Sequence, residues 1–344
     1  MRAIVIHAAK DLRLDPVTVG EPGPGEVRVR IERGGICGSD LHYYQDGRIG
    51  TIVLKQPMTL GHEVAGIVER LGAGVTTVKP GDRVALSPSR ACGTCRYCQQ
   101  GLQQHCLAMR FYGSAMPFPH SHGAFQEAIN ADARQCFVVP ATLSAGEAAM
   151  CEPLAVCLHA VRRAGPIFGK RVLVTGCGPI GVLAVIAAKH AGAAEIVVTD
   201  VTPTPFPLAR QLGADQCLDV AADKSALARF TGDKGHFDVL FECSGNQAAL
   251  VAAFDVLRPQ AIIVQVGLGG SFTLPINMLV AKEFDLRGTF RFHEEFGLAA
   301  ALIGEGKVNV KPLISATLPF ERAVEAFQLA GDRTKSMKVQ LAFG

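Results

Sequence analysis

The stretch that decides the fold is RVLVTGCGPIGVLAVIAAKHAGAAEIVVTD, residues 171–200. It contains, in order, an apolar strand pattern, a glycine-rich turn, an apolar helix pattern and a second apolar strand pattern. Strands that are apolar on both faces and alternate with helices are typical of a doubly wound parallel sheet. The sequence therefore predicts an α/β domain in this half of the chain. The alternation continues through PFPLARQLGAD (205–215), QCLDV (216–220), FDVLFECSG (237–245) and AIIVQVG (261–267).

The glycine-rich turn is a candidate cofactor site. Gly176, Gly178 and Gly181 follow the spacing G-x-G-x-x-G between a strand and a helix. Such glycines allow a tight turn, close approach of the backbone to a pyrophosphate, and close packing of helix on strand. Asp200 ends the next strand, where a carboxylate can bind the adenosine ribose, and no Arg or Lys follows before Arg210. Because a carboxylate repels a 2′-phosphate, we predict NAD rather than NADP. The alternative is a glycine-rich turn in a fold that binds no nucleotide.

The first third of the chain shows short β-strand patterns separated by turns, which predicts a β-barrel-like domain. A helical pattern, SAGEAAMCEPLAVCLHAVRRAG (144–165), ends at Gly165. Close to residue 344, FERAVEAFQLAG (320–331) and KVQLAF (338–343) do not resemble another strand–helix unit, and we expect them to return to the first domain. The strand patterns of the first third are RAIVIHA (2–8), EVRVRIE (26–32), EVAGIVERLG (63–72) and DRVALSP (82–88).

Composition and charge exclude several classes of protein. Hydrophobic residues make up 49% of the chain and charged residues 19%, with no uninterrupted apolar run long enough to span a membrane. A net charge of +3 without runs of like charge argues against nucleic-acid binding. The start, MRAIVIHAAK, lacks the features of a signal peptide, so we expect a cytoplasmic protein. A length of 344 residues suits two domains.

Eleven cysteines in a cytoplasmic chain are better explained by thiols and metal than by disulfides. Four of them lie in ACGTCRYCQQGLQQHC (91–106) with the spacing C-x2-C-x2-C-x7-C, which suits tetrahedral zinc. An iron–sulfur cluster and a nucleic-acid-binding zinc ribbon are the alternatives. A cage of four sulfurs has no open coordination position, so we expect a structural role for Cys92, Cys95, Cys98 and Cys106. The cysteines expected in the core are Cys136, Cys157, Cys177, Cys217 and Cys243.

A catalytic metal needs ligands from elsewhere in the chain. One thiolate, one imidazole and one carboxylate, with water in the fourth position, make a zinc site that a substrate can enter. Taken singly, each residue can be interpreted as an ordinary packing or surface residue. The candidates are Cys37, Ser39 and His42 in GGICGSDLHYY (34–44), His62 and Glu63 in TLGHEVAG (59–66), and Cys151 and Glu152 in AAMCEPLAV (148–156).

These residues resemble the zinc-dependent medium-chain dehydrogenase/reductase superfamily over essentially the whole chain. GHEVAGIVERLGAGV (61–75) matches its zinc signature at Gly61, His62, Glu63, Gly66, Gly72 and Val75. The resemblance implies a GroES-like catalytic domain of residues 1–146 and 308–344, a Rossmann domain of residues 147–307, and an active site in the cleft. It implies two zinc ions per chain. The catalytic one is held by Cys37, His62 and Glu152, with Glu63 as an alternate ligand, and the structural one by the four clustered cysteines.

CEPLAV (151–156) is similar to the polyol dehydrogenase branch, where Glu152 takes the place that a cysteine has in many alcohol dehydrogenases. Within it, MRFYGSAMPFPHSHGAF (109–125) and LRGTFRFHEEF (286–296) resemble the sugar-acid enzymes more than the sorbitol enzymes. A sugar acid needs a cation, and Arg110 and Arg291 are the candidates. A salt bridge is the alternative role for either. His120 and His122 are expected to be solvated loop residues rather than part of the substrate mouth.

The resemblance also implies a mechanism. The zinc lowers the pKa of a substrate hydroxyl, Ser39 and His42 relay its proton, and a hydride passes to NAD. The first alternative function is that of a sorbitol, xylitol or threonine dehydrogenase. The second is a non-catalytic dinucleotide-binding protein. GGSFTLPIN (269–277) is a candidate exposed edge strand, through which family members pair into dimers or tetramers. The expected cofactor contacts are Gly176, Gly178, Pro179, Ile180, Gly181, Asp200, Val266, Phe290 and Arg291.

Overall fold

The computed structural model describes residues 1–344 and divides them into two units. The first consists of Met1–Glu152 and His293–Gly344, and the second of Pro153–Phe292. Both boundaries differ from the expected positions after residues 146 and 307. The second difference is the larger because the helix Glu295–Gly304 belongs to the first unit, where Phe296 packs on Phe137 with ring centroids 5.0 Å apart.

The N-terminal part of the first unit is built from twelve strands and three helices, and all four strand patterns predicted for it are present. The strands are β1 (Arg2–Ala8), β2 (Asp11–Pro16), β3 (Glu26–Gly35), β4 (Arg48–Ile49), β5 (Ile52–Val53), β6 (Met58–Thr59), β7 (Glu63–Leu71), β8 (Arg83–Leu86), β9 (Ser89–Arg90), β10 (Arg110–Phe111), β11 (Ala128–Asp132) and β12 (Cys136–Val138). The helices are α1 (Gly38–Asp46), α2 (Arg96–Gln99) and α3 (Ala145–Ala149).

The helical pattern of residues 144–165 forms two helices instead of the predicted one: α3, and α4 (Cys151–Ala164). Ser144 and Glu147 form a capping box that begins α3. Pro153 explains the interruption, because it has no N–H to donate to the carbonyl of Ala149 and its ring clashes there. Proline is tolerated in the first turn of a helix, so α4 begins just before it. As predicted, this helix ends ahead of Gly165, which has a positive φ of 81°.

The second unit is a parallel sheet of six strands in the order β15-β14-β13-β16-β17-β18. In chain order this is 3-2-1-4-5-6, the doubly wound arrangement in which a ligand crevice opens where the order reverses, between β13 and β16. The strands are β13 (Arg171–Thr175), β14 (Glu195–Asp200), β15 (Gln216–Asp219), β16 (Phe237–Glu242), β17 (Leu257–Gln265) and β18 (Asp285–Gly288). The helices are α5 (Pro179–His190), α6 (Phe206–Gln211), α7 (Gln247–Ala253) and α8 (Ile276–Ala281).

The stretch GGSFTLPIN, expected as an edge strand, is not one. Residues 271–275 have no regular structure and α8 begins at Ile276. Pro275 cannot donate to a strand ladder, which opposes a strand there. The edge strands of this sheet are β15, which pairs only with β14, and β18, which pairs only with β17.

The chain then returns to the first unit, as expected, through α9 (Glu295–Gly304), β19 (Ile314–Pro319), α10 (Ala323–Gly331) and β20 (Lys338–Ala342). The strand β20 inserts into the main sheet beside β3, in the order β12-β8-β7-β3-β20-β19. A core of apolar side chains from β1, β3, β7, β8 and α10 underlies this sheet. The C-terminal strand therefore lies next to the strand that leads into Cys37. None of the helices has both the length and the apolar character needed to cross a membrane.

Candidate active site and metal centres

The four clustered cysteines converge on one point of the first unit. Their sulfur atoms all lie within 4.8 Å of one another. The Sγ–Sγ distances are 3.5 Å between Cys95 and Cys98, and 4.0 Å both between Cys92 and Cys98 and between Cys95 and Cys106. Zinc–sulfur bonds of about 2.3 Å in a tetrahedron put the sulfurs about 3.8 Å apart. The donor set and its spacing therefore fit zinc.

Backbone amides of this lobe point at the sulfurs. The N–H of Cys92 donates to Sγ of Cys106 at 3.2 Å, and the N–H of Cys95 donates to Sγ of Cys92 at 3.4 Å. Hydrogen bonds from Thr94 and Cys95 lower the pKa of Cys92 to about 6. Since metals bind the thiolate form, the lowered pKa of Cys92 favours metal binding, while burial raises the pKa of Cys98 to about 12. With four sulfurs directed inward, no coordination position stays open for a substrate.

A second cluster lies where β3, α1 and β7 meet. Cys37 follows β3 and is the N-cap residue of α1, while His62 and Glu63 lie at the start of β7. Because Gly35 pairs directly with Glu63 in the antiparallel ladder, the two segments approach side by side. Cys37, His62 and Glu63 each offer one ligand atom, and these atoms lie within 4.8 Å of one another. The structure thus brings together residues from two separate sequence motifs.

Asp40 fixes this arrangement. Its carboxylate, fully buried, accepts hydrogen bonds from the N–H of Cys37 at 3.0 Å and from the N–H of Gly61 at 3.2 Å. It therefore ties the turn that carries Cys37 to the residue before His62. Its Oδ1 also lies 3.8 Å from Nδ1 of His62, a buried atom with no hydrogen-bond partner. An imidazole with an unpartnered nitrogen beside a thiol and carboxylates is a donor set suited to zinc.

Glu63 and Glu152 have different surroundings, although both are buried. Nζ of Lys338 lies 2.7 Å from each carboxylate oxygen of Glu63 and also donates to the carbonyl of Ile36 at 3.2 Å. Glu152 lies outside the group of ligand atoms within 4.8 Å. Burial, and the charges of Glu63 and Cys37, raise the pKa of Glu152 to about 8, although His62 opposes this.

Burial and the nearby carboxylate of Glu63 raise the pKa of Cys37 to about 12. Cys151 is buried and belongs to neither ligand group.

Ser39 and His42, the candidate relay residues, lie on α1. Ser39 lies in the first turn of the helix, two residues after Cys37. His42 lies on the solvent side of the helix with its Nδ1 3.7 Å from Asp46, and its side chain is 51% exposed. The two residues therefore lie on the helix that begins at the half-buried Cys37.

The substrate candidates lie in different units, Arg110 in the first and Arg291 in the second. Arg110 is exposed, and its Nη1 donates to the carbonyl of Pro119 at 3.4 Å. The expectation for His120 was wrong, because its ring is 4% exposed, contacts the carbonyl of Pro117 at 2.9 Å and accepts from the N–H of Lys55 at 2.8 Å. That ring packs within the loop as a structural element. His122 is exposed, as expected.

The glycine-rich turn of the second unit shows a separate task for each glycine. Gly176 has φ of 87°, and a Cβ there would lie 2.8 Å from the backbone of Ser244, on the loop after β16. A Cβ at Gly181 would lie 1.9 Å from the carbonyl of Gly176, so this glycine allows α5 to pack closely. A Cβ at Gly178 would meet nothing within 4 Å. The backbone at Gly178, the N-cap of α5, is therefore open to a phosphate.

Other expected cofactor contacts lie at the same edge of the sheet. Asp200 ends β14 and accepts from the N–H of Cys177 at 2.6 Å and from that of Thr202 at 3.0 Å. Val266 follows β17, and Phe290 and Arg291 follow β18. The guanidinium of Arg291 lies 4.8 Å from the ring centroid of Phe290. All of them, with Pro179 and Ile180 in the first turn of α5, lie in the second unit beyond the carboxyl ends of parallel strands.

Comparisons with known proteins agree with this geometry. A GroES-like β domain with a metal cluster, joined to a doubly wound domain, defines a class of metal-dependent dehydrogenases. Residues 23–141 match the family described as alcohol dehydrogenase GroES-like domain, and residues 179–305 match the family described as zinc-binding dehydrogenase. The chain belongs to the zinc-binding alcohol dehydrogenase family, which confirms the predicted superfamily and the predicted GroES-like and Rossmann folds.

Individual relatives match the chain over almost its whole length. It is 44% identical to L-idonate 5-dehydrogenase (NAD(P)(+)) of Escherichia coli K12, covering 99% of this chain and 98% of that protein. It is 39% identical to sorbitol dehydrogenase of Gallus gallus, covering 98% of this chain and 95% of that protein. The crystal structure of L-idonate 5-dehydrogenase from E. coli aligns with a TM-score of 0.96 and 42% identity, over 99% of this chain and 98% of that one.

Two residues of the site were missed in the sequence. Asp40 had a local signal, since it stands three residues after Cys37, the spacing of a capping box. The cysteine at the N-cap hid that signal, because serine, threonine and aspartate are the usual residues there. Lys338 had none, because it is 275 residues away from Glu63 in sequence.

Proposed function

We propose that this protein is a zinc- and NAD-dependent dehydrogenase that oxidises a secondary alcohol of a sugar acid, with L-idonate as substrate and 5-keto-D-gluconate as product. The observation that carries the proposal is the group of half-buried Cys37 with buried His62 and Glu63, whose ligand atoms lie within 4.8 Å of one another. The relative that is 44% identical over the whole chain is named for this reaction. Sorbitol or xylitol oxidation is the alternative, supported by a 39% identical relative.

Cys37, His62 and Glu152 are the proposed ligands of the catalytic zinc, with Glu63 as the alternate. Both oxygens of Glu63 are already paired with Nζ of Lys338, whereas the carboxyl of Glu152 has no such ion pair. The proximity of Glu63 to Cys37 and His62 supports its alternate role. Cys92, Cys95, Cys98 and Cys106 are the proposed ligands of the structural zinc.

When bound, the zinc supplies a Lewis acid and NAD supplies a hydride acceptor. The residues of the chain bind, orient and move the proton. Ser39 is placed to accept the substrate proton at Oγ, because it lies two residues after Cys37 in the first turn of α1. His42 is placed to receive it next and release it to solvent, since its ring is exposed.

The proposed dinucleotide site is the turn of Gly176, Gly178 and Gly181, with Pro179 and Ile180 in the first turn of the helix. Asp200 supports NAD over NADP, because its carboxylate repels a 2′-phosphate. The relative from E. coli is named for both cofactors, which makes the comparison of NAD with NADP informative. Val266, Phe290 and Arg291 are the proposed contacts on the nicotinamide side.

Arg110 and Arg291 are the proposed partners of the substrate carboxylate, since a guanidinium binds a carboxylate through two parallel hydrogen bonds. The exposure of Arg110 supports this role. A polyol carries no carboxylate, so these arginines would separate a sugar acid from sorbitol.

We also propose that the protein is a cytoplasmic homo-oligomer, a dimer or a tetramer. One of its edge strands, β18, carries Leu286, 41% exposed, and the preceding helix α8 carries Ile276 and Val280, 58% and 67% exposed. Unpaired strand edges with apolar neighbours favour association. Replacing Leu286 with Lys should shift the mass measured by light scattering toward the monomer, and an unchanged oligomer would contradict this interface.

The test of the function is NADH formation by the zinc-loaded protein with L-idonate, beside sorbitol, and with NADP in place of NAD. We expect fast NAD-linked turnover of L-idonate and little of sorbitol. Arg110→Gln should raise the KM for L-idonate and leave that for NAD unchanged, while the control Arg70→Gln, an exposed arginine paired with Glu21, should change neither. A preference for sorbitol would refute the sugar-acid substrate, and no turnover of either would refute the function.

A further inference from the structure

A buried carboxylate lies at the centre of the parallel sheet of the second unit. Glu242 is the last residue of β16 and is 0% exposed. Its strand lies between β13 and β17, next to the point where the strand order reverses. Burying a charged group is costly unless hydrogen bonds compensate it. The partners of this carboxylate are neutral donors, and none is a lysine or an arginine.

The two carboxylate oxygens of Glu242 bind groups from three strand ends. Oε1 accepts from the N–H of Ser244 at 2.9 Å, from the hydroxyl of the same serine, and from Oγ1 of Thr175 at 3.3 Å. Oε2 accepts from the N–H of Gly245 at 3.0 Å and from Nε2 of Gln265 at 2.5 Å. Thr175 ends β13 and Gln265 ends β17. The carboxylate therefore ties together the carboxyl ends of β13, β16 and β17.

The main chain of Glu242 extends this network to the loop after β17. Its carbonyl accepts from the N–H of Val266 at 2.9 Å and from that of Gly267 at 2.8 Å. The loops after β16 and β17 also lie backbone against backbone, because a Cβ added at Gly267 would overlap the nitrogen of Gly245. One residue thus fixes both loops, and a displacement of one loop would displace the other.

These two loops border the proposed dinucleotide site. The backbone of Ser244 lies against Gly176 of the glycine-rich turn, where a Cβ would come within 2.8 Å of it. Val266 is a proposed contact on the nicotinamide side. A doubly wound sheet binds a dinucleotide across two halves, here β13–β15 and β16–β18. The glycine-rich turn and Asp200 belong to the first half, whereas both loops held by Glu242 belong to the second.

We propose that Glu242 is a positioning residue for the cofactor: it holds the backbone that receives the nicotinamide half of the dinucleotide, without touching the dinucleotide itself. This inference rests on the proposed dinucleotide site. A backbone fixed before binding lowers the cost of ordering the loops when the cofactor arrives. A residue that only stabilises the fold would have no such preference for one half of the ligand.

The test is calorimetric titration of the full-length, zinc-loaded protein with NADH and with ADP. Glutamine at position 242 has nearly the shape of glutamate, but its amide nitrogen cannot accept from the N–H groups that face it. We expect Glu242→Gln to raise the Kd for NADH by about tenfold or more. The Kd for ADP should stay unchanged, because ADP carries the adenosine and the two phosphates but no nicotinamide half.

Asp238→Asn is the matched control. Asp238 lies on the same strand near its amino end, and its side chain is 10% exposed. Its carboxylate accepts from the N–H of Arg171 at 2.7 Å and lies 2.7 Å from Nε of Arg258. This variant also removes a carboxylate from β16, but it lies at the other end of the strand. We expect it to lower the stability of the second unit and to leave the Kd for NADH unchanged.

Ser244→Ala is a milder second variant, which remains informative if Glu242→Gln does not fold. It removes the hydroxyl that donates to Glu242 and accepts from the N–H of Asn246 at 3.1 Å. We expect it to raise the Kd for NADH by about two- to tenfold, the range that one hydrogen bond supplies, and to leave that for ADP unchanged.

The outcomes separate this inference from the proposed function. Equal affinity for NADH in Glu242→Gln and the unaltered protein, or an equal loss of affinity for NADH and ADP, would overturn the inference and leave the proposed function untouched. If only Ser244→Ala folds, an unchanged Kd for NADH in that variant would overturn it. Failure of the unaltered protein to bind NADH would refute the dinucleotide site itself, and the inference with it.

Discussion

Replacing Lys338 with Met should strongly destabilise the first unit. Lys338 has 4% of its side chain exposed and Glu63 has 1%, so the pair is closed to solvent. The three hydrogens of the ammonium are all used, on the two oxygens of Glu63 and on the carbonyl of Ile36. Methionine has similar length but no donor. The substitution therefore leaves a buried carboxylate and a buried carbonyl without their partner.

The size of the effect follows from the burial. Removing one member of a buried ion pair costs about 3–5 kcal/mol, because the remaining charge stays in a low-dielectric surrounding. A domain is stabilised by about 5–15 kcal/mol in total, so this loss is a large fraction of it. At about 1.4 kcal/mol per factor of ten, the folded population should fall by more than a hundredfold relative to the unfolded one.

The measurement is urea unfolding of the metal-free protein followed by circular dichroism. The double variant Glu63→Gln with Lys338→Met should recover part of the loss, because it removes the unpaired charge. Lys335→Met is the matched control: its partner Asp332 is 33% exposed and the lysine itself 70%, so solvent screens the pair and the free energy of unfolding should hardly change. If Lys338→Met unfolded at the same urea concentration as the unaltered protein, the buried pair would not stabilise the site.

Three further predictions concern the metals and the cofactor. Cys92→Ser should lower the bound zinc from two ions per chain to one and lower the melting temperature, with turnover per folded molecule preserved; complete loss of turnover in folded protein would contradict a purely structural role. Zinc binding at the catalytic cluster should release protons and weaken as the pH falls, since burial raises the pKa of Cys37 to about 12 and of Glu152 to about 8 and both groups must lose their proton. Calorimetry in buffers of different ionisation enthalpy measures this release, which should decrease above a pH of about 8, and zinc affinity independent of pH would refute it. Asp200→Ala should raise the KM for NAD and reduce the preference for NAD over NADP in steady-state kinetics. An unchanged preference would contradict the role of Asp200 at the ribose.

The sheet of the second unit could be predicted because its signals are local. Apolar strands, the glycine turn and Asp200 occur within one continuous stretch, and the parallel arrangement follows from their alternation. The break between α3 and α4 was missed although Pro153 marks it, since the apolar spacing continues through the proline. The edge strand was placed in the wrong segment because Phe272 and Leu274 give a strand-like pattern, which Pro275 opposes.

The candidate site was predictable to the extent that its residues lie in recognisable motifs. Cys37, His62 and the four clustered cysteines were named from the sequence. The structure brings Cys37 and His62 into one cluster and the four cysteines into another. The sequence could not predict which of Glu63 and Glu152 is held in an ion pair. The answer depends on Lys338, which lies at the start of β20 and pairs with Glu63.

The most direct test of the account is the zinc content and NAD-linked turnover of the Cys37→Ala variant, measured on the same preparation as the unaltered protein. The account predicts two zinc ions per chain and turnover of L-idonate in the unaltered protein, and one zinc ion with no detectable turnover in the variant. Full zinc-dependent turnover in Cys37→Ala would contradict the proposed catalytic centre, whatever substrate the enzyme uses.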